Sequence, residues 1–319
     1  MSQMDPLVSI IVPAYNLGEF TVEAVRSLLA QTYKNIEVIV VDDGSTDDTR
    51  MLLNRFNGQI RYIYKENGGA CSARNMGFRA SSGELIGFLD CDDLYCRDKL
   101  EKYVKYFCDN PDKGMVYSFE QRINSLGKCI GLYGMEPPRS IKLFDELLKY
   151  NFIGCTTPIM KREIMLDVGL WDENIFITAD WDLWLRISKK YPVGFISESL
   201  SKYRIISSYI YKNMNQYKNE MVYIFKKYEQ YMSKKTCKIN KVNLHASVFR
   251  CYMEKREYTN AEKELINIMN LSLFSLKYII LFFLIKLLGG KLYFRLRDTR
   301  DRIKNRFDNR LQSFHKHLR

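Results

Sequence analysis

Short apolar runs alternate with segments of helical periodicity over the first ninety residues of the chain. The runs at residues 8–13, 36–41, 61–64 and 85–89 are rich in branched and aromatic side chains and have the length of buried strands. The segments between them, such as residues 19–32, carry apolar residues at helical spacing. Alternation of strand and helix is typical of βαβ units and of a mostly parallel sheet flanked by helices. The pattern therefore predicts an α/β fold.

The pattern changes after about Tyr203, where the chain becomes rich in tyrosine, lysine and asparagine. Residues 178–190 predict an amphipathic helix before this change, and residues 243–270 predict a pair of helices beyond it. We therefore expect an α/β domain over residues 1–207 and a helical, basic C-terminal extension over residues 208–319.

Three polar clusters directly follow predicted strands. They occupy residues 42–47, 67–75 and 90–93, each at the carboxyl end of a strand. In open α/β sheets, ligands bind in the crevice outside that edge. The order of the clusters therefore predicts one shared binding crevice.

Each cluster has a chemical and a purely structural interpretation. Asp90 and Asp92 suit a hard cation such as Mg²⁺ or Mn²⁺, or they form a solvated turn that caps the next helix. The acids of residues 42–47 either accept hydrogen bonds from a nucleobase or ribose, or cap a helix. The glycines and Arg74 of residues 67–75 favour an anion, or form only a turn and a cap.

A further pair of carboxylates lies in the stretch ADWDLWLRI. Asp180 and Asp182 stand among aromatic residues at the start of a predicted helix. A partly buried aspartate can act as a general base, whereas acids in the first turn of a helix also stabilise it through the helix dipole. The pattern alone leaves both interpretations open.

Composition indicates a globular protein in a reducing compartment. Apolar residues make up 46% and charged residues 27% of the 319 residues, which is ordinary for globular domains. The eight cysteines include no C-x-x-C pair, so zinc and thioredoxin-like sites have no support. The first residues lack a basic segment followed by an apolar core, so we expect no secretory signal and a cytoplasmic location.

The net charge of +12 is concentrated near the C-terminus. Residues 271–319 contain 12 lysines and arginines against 3 aspartates, which leaves +3 for the rest of the chain. Residues 271–288 are mostly apolar, but Lys277 and Lys286 interrupt them, so we expect no membrane span. Two interpretations stay open: a helix buried in a C-terminal bundle, or an element on the anionic inner face of the cell membrane. Nucleic acid is not expected as a partner, because the basic run lacks ordered aromatic platforms for stacking.

Five stretches, in order, resemble the motifs of one enzyme family. They are VSIIVPAYN, LLAQTYKNIEVIVVDDGSTDDT, NGGACSARNMG, GFLDCDD and ADWDLWLRI, within residues 7 to about 207. The series is similar to that of glycosyltransferase family 2, whose members have the GT-A fold, a Rossmann-like sheet flanked by helices. The resemblance implies transfer of one sugar, with inversion, from a nucleotide diphosphate sugar (UDP-sugar above all) to a hydroxyl of a glycan or lipid-linked acceptor. It also implies a role in surface polysaccharide synthesis, such as capsule, O-antigen or exopolysaccharide.

The resemblance also assigns roles to single residues. Those of the first four motifs would bind the nucleotide, its ribose and its diphosphate: Pro13, Ala14, Tyr15, Asp43, Arg74 and Asp90. Within that set, Asp43 would hydrogen-bond the base and Arg74 would lie near the diphosphate. Asp92 would ligate Mn²⁺ or Mg²⁺, with Asp90 as a second candidate ligand. Asp180 matches the catalytic base, with Asp182 as second choice, and Ala179 stands where many relatives have Glu.

Two departures from the family pattern affect these expectations. Many relatives read Tyr-Arg-x-His shortly after the base, and that histidine can help to bind the metal. Here the stretch is Tyr203-Arg204-Ile205-Ile206, and isoleucine cannot ligate, so the metal would be held more weakly or mainly by Asp92 and the diphosphate. The sequence also lacks the Q-x-x-R-W stretch of processive synthases, so transfer of a single sugar is expected.

Other functional classes fit the sequence less well. A sugar-nucleotide pyrophosphorylase would carry a G-x-G-x-R-type loop after the first strand, where this chain has Pro13-Ala14-Tyr15-Asn16. A dinucleotide-dependent oxidoreductase needs G-x-G-x-x-G after a strand, and the sequence has none. The remaining alternative is a degenerate transferase that serves as a nucleotide-sugar-binding or scaffold protein. Ile206 and the basic tail favour it, and the five retained motifs oppose it.

Overall fold

The computed structural model describes residues 5–137, 142–206 and 213–271. The chain divides into two compact units, Met1–Ser207 and Ser208–Arg319. A nine-stranded sheet organises the first unit, and the described part of the second unit is helical.

Four parallel strands build the first half of the sheet: β1 (Val8–Ala14), β2 (Ile36–Asp42), β3 (Arg61–Tyr64) and β4 (Leu85–Phe88). They lie in the order β3–β2–β1–β4. All seven residues of β1 are buried, as expected for a central strand covered on both faces. The carboxyl ends of β1, β2 and β4 therefore meet at one edge of the sheet, where the polar loops begin.

The second half of the sheet mixes strand directions. Its strands are β5 (Leu94–Tyr95), β6 (Met115–Asn124), β7 (Cys129–Tyr133), β8 (Ile159–Lys161) and β9 (Val193–Ile205). β8 joins the two halves because it pairs antiparallel with both β4 and β6. β6 also pairs in parallel with β9 and antiparallel with β7, and β9 pairs antiparallel with β5.

Helices flank both faces of the parallel half. They are α1 (Gly18–Leu29), α2 (Thr49–Leu53), a 3₁₀ turn (Asn54–Phe56), α3 (Ala70–Ala80), α4 (Lys99–Asp109), α5 (Leu143–Leu147), α6 (Arg162–Val168) and α7 (Ala179–Lys190). Val38 and Val40 of β2 share a core with α1 and α4, whereas Ile39 and Val41 share one with Ala73 of α3. Alternate residues of one strand thus serve two apolar layers, as the period of two requires.

The predicted fold class is confirmed, with differences in the lengths of elements. Beyond the four predicted strands, a helix over Thr49–Leu53 gives way to the 3₁₀ turn. The strand β6 continues to Asn124, because β7 and β9 pair with its second half. These pairings join segments that are distant in sequence, so local periodicity does not report them.

The second unit contains α8 (Met214–Tyr228), a 3₁₀ turn (Glu229–Tyr231), α9 (Lys234–Glu254) and α10 (Tyr258–Leu271). Ser233 caps α9, since its side chain accepts the Thr236 N–H at 3.1 Å. The Glu264 carboxylate of α10 lies 2.9 Å from Lys218 Nζ of α8 and 2.6 Å from His245 Nδ1 of α9. One buried carboxylate therefore links all three helices.

The apolar and basic tail, for which a buried helix and a membrane-surface element are both open, lies outside the described residues, apart from Leu271. None of the helices within the described ranges combines the length and the apolar content needed to cross a membrane.

A glycine allows α3 to pack closely on β1. A Cβ atom at Gly77 would lie 2.4 Å from Ile11 Cγ2. Overpacking costs about 1–3 kcal/mol, which exceeds the ~1 kcal/mol that alanine gains in helix propensity. We therefore expect Gly77→Ala to lower the free energy of unfolding by about 1–2 kcal/mol in urea denaturation. The matched control is Gly131→Ala, where a Cβ atom meets no atom within 4 Å, and a change of less than about 0.5 kcal/mol is expected. Equal effects in the two variants would contradict the close-packing argument.

Candidate active site

The loops after β1 and β2 are tied together by one asparagine. Asn16 has a φ of 50°, in the left-handed region that asparagine tolerates better than most residues. Its Oδ1 atom accepts the N–H groups of Thr46 at 2.8 Å and Asp47 at 3.3 Å, and its own N–H donates to Ser45 Oγ at 3.0 Å. These bonds hold the two loops side by side at the carboxyl edge of the sheet.

The residues predicted to line a nucleotide pocket lie at this edge. Pro13 and Ala14 end β1 and are buried. The Ala14 carbonyl accepts the Asp43 N–H at 2.8 Å, which extends the pairing of β1 and β2 by one bond. Tyr15 is 48% exposed, so its ring is accessible to a ligand.

Asp43 organises the glycine turn that opens α3. Its carboxylate is buried and accepts Lys65 Nζ at 2.6 Å, the Gly68 N–H at 2.9 Å and the Gly69 N–H at 2.7 Å. Gly69 has a φ of 88°, which side chains disfavour. The turn therefore depends on this carboxylate in the structure itself, and the role of Asp43 toward a base stays a prediction.

Arg74 and Asp90 form an ion pair between α3 and the end of β4. Arg74 Nη2 lies 2.5 Å from Asp90 Oδ1, and the guanidinium stacks on Trp171 with its carbon 4.5 Å from the ring centre. Although burial disfavours its charge, Asp90 keeps the pKa of Arg74 above its ordinary value. The Arg74 Nε atom is buried and has no hydrogen-bond partner among the described residues. The pair thus brings together two residues that the sequence assigned to the donor side.

The acidic turn after β4 is held by a second arginine. Asp93 is fully buried and accepts the Arg204 N–H at 2.8 Å and Thr156 Oγ1 at 2.5 Å. The Arg204 guanidinium donates to the Asp92 carbonyl at 2.8 Å and lies 2.6 Å from Glu23 Oε2. Burial raises the pKa of Asp93 well above its ordinary value. This clamp fixes the backbone that carries Asp90 and Asp92.

The Asp92 carboxylate lies in surroundings that disfavour its negative charge. It is half-buried, and burial followed by the charge of Asp90 raises its pKa to about 6. Two neighbouring carboxylates that repel each other are the oxygen donors that Mg²⁺ and Mn²⁺ prefer. Within residues 5–137, 142–206 and 213–271, no group of three or more His, Cys, Asp or Glu side chains could hold a metal alone. The donor set therefore fits a cation only if the substrate or water completes its shell.

Asp180 lies in the first turn of α7 with both carboxylate oxygens engaged. Its Oδ1 atom accepts the Trp181 N–H at 2.7 Å and its Oδ2 atom accepts Asn151 Nδ2 at 2.9 Å. Burial raises the pKa of Asp180 to about 6, against the effect of these two bonds. The charges of Arg74 and Asp90 also act on it. A carboxylate with this pKa is ionised at neutral pH and can still take a proton.

Asp182, the second choice for a base, lies in a different environment. Its carboxylate is completely buried and lies 2.8 Å from Arg186 Nε. The same guanidinium donates to the carbonyls of Val168, Gly169 and Leu170. Asp182 therefore anchors α7 to the loop after α6, and this packing favours Asp180 as the residue that faces Arg74 and Asp90.

Several residues of the site were not predicted from the sequence. Arg204 belongs to the stretch noted only for its lack of a histidine, and Asn151 and Thr156 lie in a segment with no recognised motif. Ile206, at the missing histidine, is 41% exposed just beyond β9. A local signal existed only for the Asp182–Arg186 pair, whose spacing of four residues is typical of helical ion pairs.

The chain resembles known glycosyltransferases in both sequence and structure. The family model described as glycosyl transferase family 2 matches residues 9–169. An uncharacterised glycosyltransferase of Rickettsia typhi is 40% identical over 209 residues, which cover 63% of this chain and 64% of the relative. The UDP-Glc:alpha-D-GlcNAc-diphosphoundecaprenol beta-1,3-glucosyltransferase of Escherichia coli is 35% identical over 213 residues, which cover 65% of this chain and 80% of the relative. The chain thus spans less than two thirds of the Rickettsia relative's length.

A solved structure shares the fold. A mannosyltransferase from Pyrobaculum calidifontis in complex with GDP-Man and Mn²⁺ superposes with a TM-score of 0.60 at 19% identity. The superposition covers 95% of this chain and 88% of the other. This likeness shows the GT-A fold, as the sequence predicted.

The two aspartates of α7 should differ in their effect on stability. Asp182→Asn removes the buried partner of Arg186, and we expect the free energy of unfolding to fall by roughly 3 kcal/mol. Burial raises the folded pKa of Asp180 above its unfolded value of about 3.9, so its charged form costs stability at pH 7. Asp180→Asn should therefore leave the free energy of unfolding unchanged or raise it. Urea denaturation of both variants at pH 7 measures this contrast, and the reverse order would contradict it.

Proposed function

The chain belongs to glycosyltransferase family 2, and from that premise we propose that it transfers a sugar from a nucleotide diphosphate sugar to an acceptor hydroxyl. The observation that carries the proposal is the meeting of three separate segments at one edge of the sheet. Asp90 and Asp92 follow β4, Arg74 comes from α3 and Asp180 from α7. This reaction needs carboxylates that bind a metal ion, a cationic side chain that stabilises the anionic leaving group, and a base.

The donor would bind over the loops after β1 and β2, with its diphosphate near Arg74. We assign the metal, Mn²⁺ or Mg²⁺, to Asp92, with Asp90 as a second ligand. When bound, such an ion neutralises the charge that develops on the leaving nucleoside diphosphate. The Escherichia coli relative is named for UDP-Glc and the archaeal structure contains GDP-Man and Mn²⁺, which supports a metal-assisted, nucleotide-sugar-dependent reaction. We favour a UDP-sugar as donor.

We assign the general base to Asp180. The acceptor hydroxyl gives its proton to this carboxylate while its oxygen attacks the anomeric carbon, and the bond from that carbon to the diphosphate oxygen breaks. Attack opposite the leaving group inverts the centre in one displacement. Positioned proton transfer of this kind contributes about 10²–10⁴-fold to the rate.

The acceptor would be a glycan or a lipid-linked sugar in surface polysaccharide synthesis. The support is the name of the Escherichia coli relative, whose acceptor is a sugar diphosphate on undecaprenol. A cytoplasmic enzyme that reaches such an acceptor would work at the inner membrane face, and residues 271–319 carry the basic charge for that contact.

The donor proposal predicts metal-dependent nucleotide binding. In a thermal-shift panel of UDP- and GDP-sugars, at least one should raise the Tm in the presence of Mn²⁺ and be hydrolysed slowly. Asp92→Asn should abolish the Mn²⁺-dependent part of this shift, because it removes a ligand charge, while the Tm without ligands is kept. The matched control is Asp48→Asn, which removes an exposed carboxylate at the residue before α2. A nucleotide sugar that is bound but neither hydrolysed nor used as a donor would instead support the degenerate-transferase alternative.

The base proposal predicts a loss of turnover and a defined pH profile. Asp180→Asn should lower kcat by about 10²-fold or more while donor affinity stays unchanged. In the wild type, kcat/KM should be flat above pH 6 and fall by about tenfold per unit or more below it, because the carboxyls of Asp180 and Asp92, each with a pKa of about 6, are inactive when protonated. An active Asp180→Asn variant together with a dead but folded Asp182→Asn variant would reverse the assignment.

A further inference from the structure

A buried carboxyl on β6 has no hydrogen-bond partner. Glu120 is 2% exposed, and its Oε2 atom contacts no donor among the described residues. Leaving a buried polar group unpaired costs about 1–3 kcal/mol, and more for a charged group. Burial raises the pKa of Glu120 to about 7; the charges of Arg122 and Lys99 oppose this rise, and those of Asp180 and Asp90 add to it. The carboxyl therefore lies near the candidate base, and its Oε2 atom receives no hydrogen bond among the described residues.

The backbone leaves room for this carboxyl. A Cβ atom at Gly154 would lie 2.1 Å from Glu120 Oε2, so a side chain at this position would force the carboxyl to move. Gly154 belongs to the same segment as Asn151, whose amide binds Asp180. Glu120 thus packs directly against the segment that orients the candidate base.

An arginine two residues further along β6 also lacks an anionic partner. Arg122 lies on the same face as Glu120, because strand residues two apart share a face. Its guanidinium stacks on Tyr133 with its carbon 4.2 Å from the ring centre, and its Nε atom is buried without a hydrogen-bond partner. No ion pair of Arg122 with Glu120 or any other acid is formed within the described ranges. The Arg122 charge acts on Glu120 and lowers the pKa of its carboxyl, but no hydrogen bond joins the two side chains among the described residues.

Neighbouring strands connect these two residues to Asp180. Tyr133 on β7 pairs with Glu120 in the sheet register, and its hydroxyl donates to the Asn151 carbonyl at 2.7 Å. Asn151 Nδ2 in turn donates to Asp180 Oδ2 at 2.9 Å. On the other side of β6, Tyr203 of β9 pairs with Arg122. The two unpaired groups thus lie on the β9–β6–β7 face that leads to the base.

We propose that Glu120 and Arg122 form the acceptor subsite, where Glu120 accepts a hydroxyl of the acceptor sugar and Arg122 binds its anomeric phosphate. The inference rests on the proposed function, since it takes Asp180 as the base. The ligand class is a glycosyl phosphate or diphosphate. A guanidinium suits phosphate because it presents several N–H donors in a rigid plane, and a sugar hydroxyl supplies the donor that Glu120 lacks.

The test uses the full chain and the nucleotide sugar that the donor panel identifies. Undecyl glycosides of GlcNAc, GalNAc, glucose and galactose are offered as acceptors, alongside the matching α-phosphates and undecyl α-diphosphates. The wild type should use at least one phosphorylated form with a KM about 10-fold or more below that of its plain glycoside. The two phosphorylated series show whether one phosphate is sufficient.

The variants separate the two contacts. Arg122→Met should remove the preference for phosphate without changing the KM for plain glycosides. Glu120→Gln should raise the KM for all acceptors about 10- to 100-fold. Lys202→Met is the matched control, because it removes a cation from β9 next to Gln121, on the opposite face. In Lys202→Met, donor hydrolysis without acceptor and the KM values for the donor and the acceptors should be unchanged.

The outcomes distinguish this inference from the proposed function. If donor hydrolysis persists but Arg122→Met keeps the phosphate preference, or no phosphorylated acceptor is preferred, the subsite is wrong and the transferase assignment stands. If no nucleotide sugar is hydrolysed at all, the proposed function fails and the subsite fails with it. Should Glu120→Gln not fold, by its thermal melt, Arg122→Met decides alone, because its side chain is only half-buried.

Discussion

Two buried arginines hold the acidic turn at the end of β4 in place, and the site is built around this turn. Arg74 neutralises Asp90 at 2.5 Å, whereas Arg204 binds Asp93 through its backbone N–H and the Asp92 carbonyl through its guanidinium. The ion pair of that guanidinium is with Glu23, so burial and mutual repulsion raise the pKa of both Asp92 and Asp93. The half-buried one of these two carboxylates is Asp92, the proposed metal ligand.

The helix α3 organises the site through its first turn and its middle. Its first turn is fixed by Asp43 through the Gly68 and Gly69 N–H groups. Further along, Asn75 binds the Trp171 backbone at 3.0 Å through both its amide nitrogen and its amide oxygen, which fixes the loop that leads into α7. The donor-side glycine turn and the base-bearing helix thus share one support, which explains how residues 96 positions apart in sequence can keep a common geometry.

Much of this arrangement could be predicted from the sequence, and the rest depends on contacts that sequence patterns do not report. The strands β1, β2 and β4 are continuous apolar runs, so the parallel half of the sheet and its polar edge follow from local periodicity. Arg204 reaches Asp93 across 111 residues, and Asn151 reaches Asp180 across 29. Their partners are set by the pairing of distant strands. Glu120 lies in a strand without a recognised motif, and only the structure shows that its carboxyl is buried without a hydrogen-bond partner.

The hydrogen bonds from Tyr133 through Asn151 to Asp180 have a consequence for how the family diversifies. The β6–β7 hairpin and the candidate base belong to one connected unit, so a substitution that reshapes the hairpin also alters the orientation of the carboxylate. New acceptor preferences that arise by reshaping the hairpin are therefore coupled to the reaction rate, unlike those that arise from a single contact such as that of Arg122. Evolution of specificity here should proceed through paired substitutions, in which a change on the hairpin is accompanied by one in the segment around Asn151.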